Sequence, residues 1–135
     1  MTKIVFSEWV RWSDRKSLKG IEKPGIYLLA HFKSVPRGKA KPLSKGIIYI
    51  GESCNSLRHR WYQFERAAFE GKGGHSGGST YRKKFGGKGT NLYVAASPVD
   101  GLGEELRPFF IRYAERNLIW KFVSKYSAPP KCNRK

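Results

Sequence analysis

Acidic residues are scarce in this chain: 10 Asp and Glu stand against 27 Lys and Arg, a formal net charge of +17 over 135 residues. Cysteine is scarcer still. Cys54 and Cys132 are far apart, with no CxxC pair and no neighbouring His pair, which excludes a zinc site and makes reduced thiols the expectation. No apolar run approaches the roughly 18 residues a membrane span needs; the longest are short, such as Ile26–Ala30 and Ile47–Ile50. Met1 to Phe6 hold three consecutive apolar residues before Ser7 and Glu8, too few for a signal peptide. Internal repeats and coiled-coil heptads are also missing. The expectation is an intracellular protein without a membrane partner.

Apolar residues are plentiful, at 39% with 14% aromatic, enough to fill one core. The length fits a single domain, with residues 1–24 as an amphipathic lead-in ending at Pro24 and residues 25–133 as its body. About one net positive charge for every eight residues exceeds what solubility requires. Such a surface attracts polyanions, and releasing counterions from neutralised phosphates drives binding to nucleic acid. An anionic membrane would call for a basic amphipathic helix or a lipid anchor, and neither is seen. Nucleic acid is the expected partner, and the expected location is cytoplasmic and nucleoid-associated.

Gly25-Ile-Tyr-Leu-Leu-Ala30 reads as a strand, β-branched and aromatic after Pro24. A basic loop over 31–45 leads to a second, Lys45-Gly-Ile-Ile-Tyr-Ile-Gly51, so the two form a long-looped hairpin. Asn55 or Ser56 offers a helix N-cap. Leu57, Trp61, Phe64 and Ala68 then make one apolar helical stripe ending near Gly71. Residues 71–89 hold eight of the 15 glycines together with Lys72, Arg82, Lys83, Lys84 and Lys88 and no acid, which reads as a flexible positive loop. Asn91–Ser97 is a third strand. A last helix runs from about Arg107 to Lys125, with Pro108 in its first turn. The order predicts an α+β domain whose small antiparallel three-stranded sheet is flanked by helices.

Two charged residues sit against this pattern. On a 100° wheel Glu115 joins the apolar sector of Ile111, Leu118, Ile119, Phe122 and Tyr126, where an ionised carboxylate is costly unless paired or bound to a metal. Arg60 projects beside Phe64 and Ala67 at the margin of the earlier stripe. A salt bridge and a snorkelling stem are their plainer readings. Both facing one sheet in so basic a chain, they could instead hold a phosphodiester between a cation and a metal.

Gly25-Ile26-Tyr27 followed by Tyr49-Ile50-Gly51 resembles the two half-motifs of the GIY-YIG nuclease family. Leu57-Arg58-His59-Arg60 is similar to the family's Leu-x-x-Arg step, Ala114-Glu115-Arg-Asn-Leu-Ile119 looks like its metal-binding helix, and Pro129-Pro-Lys-Cys-Asn133 looks like its Asn-containing tail. The likeness covers roughly residues 24–133. It implies a metal-dependent DNA endonuclease with Arg60 as the catalytic arginine and Glu115 as ligand of Mg²⁺ or Mn²⁺. One extra residue after Gly51 leaves Arg58 and His59 as rivals for the Arg60 role. Phe64 stands where many members carry His or Tyr, leaving Tyr62 or His75 as substitutes.

The resemblance assigns Tyr27 to orient or deprotonate the attacking water, assisted by Tyr49, with nearby positive charge lowering its pKa from about 10. Asn133 would brace the site or contact phosphate, and His75 would shuttle a proton, contact phosphate or be merely solvated. In the glycine-rich segment Lys72, Arg82, Lys83 and Lys84 would track the DNA backbone, and Tyr81 would stack on a base. Double-stranded and branched DNA both suit such a site. Cutting two strands with one site per chain would suggest a homodimer, and specificity would come from the domain's own loops or from an accessory DNA-binding partner. The competing reading is a basic DNA- or RNA-binding protein that keeps the fold without catalysis, although a pure binder has no use for a carboxylate facing a polyanion.

Overall fold

The apolar runs expected to be strands lack the alternation of a half-exposed sheet because both of their faces are covered. A computed structural model, which describes residues 3–134, places them in the order β1 (Val10–Arg11), a 3₁₀ helix (Trp12–Ser17), β2 (Gly25–His31), β3 (Ile47–Ser53), α1 (Leu57–Glu70), α2 (Ser76–Phe85), β4 (Leu92–Pro98) and α3 (Arg107–Tyr126). Among the described residues the sheet has four antiparallel strands in the order β1-β4-β2-β3, so β3 is an edge. The expectation of three strands is corrected by β1, a two-residue strand too short to leave a sequence pattern.

Residues 1–24 are accordingly part of the body. Trp12 and Ile21 are buried, and the Trp12 indole N–H donates to Glu65 Oε1 at 2.6 Å. The first backbone N–H groups of α1, on Leu57 and Arg58, donate to the carbonyls of Lys23 and Ile21, both at 2.9 Å. Orphan donors at a helix start thus find partners in the segment that precedes β2. Ser56 caps the same helix through His59 N–H.

Alternation along the strands separates two cores. Ile26, Leu28, Ala30 and Ala95 pack with Ile111, Leu118 and Phe122 of α3. Tyr27, Leu29, Val94 and Ala96 pack with Trp61 and Phe64 of α1 and Tyr81 of α2. A register shift between Leu29 and Ala30 leaves Ile48 as an extra residue on β3 and bends that edge.

The expected loop over 71–89 is in fact built around α2. Glycine disfavours helix by about 1 kcal/mol per residue, yet here its missing side chain is what lets α2 dock. A Cβ on Gly78 would lie 2.8 Å from the Ala67 Cβ and 3.0 Å from the Phe64 carbonyl oxygen. Packing against α1 therefore overrides propensity. Tyr81 belongs to this interface and is fully buried; its hydroxyl lies 2.9 Å from His31 Nε2 and donates to the Lys88 carbonyl. It cannot stack on a base without unpacking α2, so that expectation is withdrawn.

Candidate active site

The site begins with two tyrosines and a glycine. Tyr27 on β2 lies directly opposite Gly51 on β3, and Tyr49 precedes Gly51 by two residues, so all three share the sheet face covered by α1 and α2. A Cβ on Gly51 would fall 2.5 Å from both tyrosine rings. The second half-motif needs its glycine because the two phenols close over that position. Gly25 is constrained from the other side, where a Cβ would sit 2.4 Å from the Ser97 carbonyl oxygen.

His75, expected as either a solvated or a proton-shuttling loop residue, is buried at the start of α2 and only 2% exposed. Its Nδ1 accepts the Gly78 backbone N–H at 3.0 Å, which puts the ring proton of the neutral form on Nε2. That N–H faces the Tyr27 hydroxyl at 2.8 Å and donates to it. The Tyr49 ring lies beside that of Tyr27, with ring centres 5.9 Å apart. Burial, reinforced by the Arg60 charge, lowers the His75 pKa to about 3, so the ring is neutral at physiological pH. Phe64 lies edge-on to His75 with ring centres 5.3 Å apart, and Tyr62 points outward, 55% exposed, under Arg66. Of the two proposed substitutes at Phe64, His75 is the one brought to the tyrosines.

The protein's own groups raise both tyrosine pKa values. Burial, and then Tyr49, raises Tyr27 well above 10; burial pushes Tyr49 up to about 12 despite the opposing pull of Arg60. Desolvation of the phenolate outweighs the positive charge. Tyr27 is fully enclosed, whereas Tyr49 reaches a cavity of about 560 Å³ at the β3 edge, lined also by Ser76, Glu115, Cys132, Asn133 and Arg134.

Glu115 approaches that cavity from the opposite side of the sheet, on α3. Burial, then the nearby Glu52 carboxylate, raises its pKa to about 7, against the opposing charges of Arg116 and Arg60. Sequence reading missed Glu52, although strand alternation places it on the face of Ile50, toward α3. Cys54 Sγ donates to it at 3.1 Å. Among the described residues no three His, Cys, Asp or Glu side chains gather as a metal cluster. One or two carboxylates nevertheless fit Mg²⁺, which keeps several waters and draws further oxygens from phosphate.

Arg60 comes from α1. It donates to Gln63 Oε1 at 2.7 Å and to the Gly74 carbonyl at 3.1 Å, close enough to act electrostatically on Tyr27, Tyr49, His75 and Glu115. Arg58 is exposed and paired with Glu22 at 3.0 Å, and His59 is exposed beside Gln63. Asn133 spends its amide on the chain: Oδ1 accepts Ile50 N–H and Nδ2 donates to Ile50 carbonyl, both at 2.9 Å. With Cys132 N–H on the Ile48 carbonyl at 2.8 Å, it fastens the tail along the β3 edge. Lys72, Lys83 and Lys84 are exposed; Lys72 lies 3.8 Å from Glu70, and Arg82 donates to the Ala68 carbonyl at 3.3 Å.

No helix among the described residues is long and apolar enough to cross a membrane. The chain matches no family model, no curated protein and no solved structure.

Proposed function

We propose that the protein is a metal-dependent endonuclease that hydrolyses phosphodiester bonds in DNA, built on the GIY-YIG-like plan its motifs resemble. The observation that carries this reading is the meeting of Tyr49, Glu115 and the Asn133-anchored tail around one cavity in a chain of net charge +17. A carboxylate half-buried beside a second carboxylate is held at a cost, and a cation relieves it.

The division of labour follows from the bonding. Held by Glu115, with Glu52 close by, Mg²⁺ or Mn²⁺ would supply Lewis acidity to the phosphate and neutralise charge on the leaving oxygen. Arg60 provides fixed positive charge to the phosphate oxygens, which matters most as charge grows in the transition state. Tyr49, which lines the cavity, orients the attacking water. Tyr27 is a positioning residue, its hydroxyl held by the tautomer-locked His75 and its ring packed against Tyr49. Asn133 acts through the tail it fastens. Lys83 and Lys84 hold the DNA backbone from α2.

The reading is tested with supercoiled plasmid in Mg²⁺, Mn²⁺ and EDTA. Nicked or linear products in either metal, absent in EDTA and strongly reduced in Tyr49→Phe, are expected. Tight DNA binding without cleavage on supercoiled, linear and branched substrates would favour the non-catalytic binder instead.

A further inference from the structure

The outer face of α3 carries an aromatic row that neither the core nor the candidate site uses. Phe109, Tyr113 and Trp120 are 71%, 66% and 67% exposed, with Leu106 just before the helix at 65%. At about 100° per residue the three rings fall within a sector about 40° wide, opposite the buried Ile111, Leu118 and Phe122. Arg112 and Arg116, both exposed, lie between this row and Glu115 around the helix. Arg116 also lines the cavity that Glu115 and Tyr49 share. The row is therefore continuous with the candidate site through two cations.

We propose that this face stacks the unpaired bases of a DNA single strand and delivers that strand to the site; the choice of DNA rests on the nuclease reading above. Exposed rings offer π-faces that accept any base, and the flanking guanidinium groups meet the phosphates. Along the axis Tyr113 stands about 6 Å from Phe109 and about 10 Å from Trp120, room for a strand of two or three nucleotides. A second copy of this chain is the rival occupant. Facing copies would bring Arg112, Arg116 and Lys121 of two strongly basic chains together, whereas a polyanion neutralises them.

Trp9, Trp12 and Trp61 are buried, so quenching of the exposed tryptophan reports Trp120. The full chain is titrated with a short oligothymidylate and, separately, with duplex DNA. The oligothymidylate should quench Trp120 emission. Trp120→Ala should weaken single-strand binding, followed by oligonucleotide anisotropy, by roughly tenfold, Trp120→Phe should restore most of it, and duplex affinity should hold within about twofold. Unchanged single-strand affinity in Trp120→Ala would overturn the proposal. So would sedimentation of the wild type as a dimer that Trp120→Ala converts to monomer, which would make the row a self-association surface. Plasmid cleavage run in parallel separates the two readings: quenching without cleavage removes the nuclease and leaves the platform, and cleavage without quenching does the reverse.

Discussion

Glu115 is where stability and the proposed chemistry oppose each other. Its pKa in the folded chain, about 7, lies above the ordinary 4.5 because burial and Glu52 disfavour the carboxylate. The protonated form is accommodated below pH 4.5, and that contribution is lost as pH rises through 7. Glu115→Gln should therefore raise the melting temperature near pH 8 and change it little near pH 4, followed by thermal melts in EDTA. His75 has the opposite sign. Its pKa falls from 6.5 to about 3 on burial, so its contribution is present above pH 6.5 and is lost as pH falls toward 3. His75→Asn should flatten the loss of stability between about pH 6.5 and pH 4 in urea titrations. At neutral pH it should cost about 1–3 kcal/mol, because the buried Tyr27 hydroxyl loses its partner while Asn can still cap the Gly78 N–H. A solvated loop histidine would show neither effect.

At the scale of elements, the glycines decide what can approach what. Gly77 faces Tyr49 from α2, and a Cβ there would sit 2.5 Å from Tyr49 Cε1. Gly77→Ala should displace the ring and lower the turnover rate by about tenfold or more for a shift of about 1 Å, with DNA affinity little changed; single-turnover cleavage and filter binding separate the two. The elements legible in the sequence were those with an unbroken physical signal. Gly25–Ala30 and Asn91–Ser97 read as strands because β-branched and aromatic residues end at Pro24 and Pro98, and α1 read correctly from Leu57, Trp61, Phe64 and the Ser56 cap. α2 did not, since Gly77 and Gly78 argue against helix until α1 is there to receive them. β1 did not either, because two residues carry no periodicity and its pairing with Tyr93 and Val94 is entirely long-range. The same holds within the site. Glu115 stood out as a charge on an apolar stripe, whereas Glu52 became noticeable only once α3 was known to lie over its face of the sheet.

Across the whole molecule, on the proposed reading, the excess positive charge would set affinity for DNA and a few residues would set chemistry. Lys83 and Lys84 project from α2 into solvent, so replacing both by Gln should weaken binding to all duplex sequences alike and reduce the salt slope by about 2, read from binding isotherms at several salt concentrations. Loss confined to one sequence would make them base readers instead. The parts of the candidate site come from residues 27 to 133 and meet through the sheet. The β3 edge receives Tyr27 and His75 from one face, Glu115 from the other, and the tail along its free side. The measurement that bears most directly on the proposed chemistry is plasmid cleavage in Mg²⁺ by wild type and Glu115→Gln at matched DNA occupancy. Metal-dependent cleavage by the wild type, abolished in Glu115→Gln while affinity stays within about tenfold, is the expected result. Equal cleavage by both proteins, or equal loss of binding and cutting in a folded variant, would contradict it.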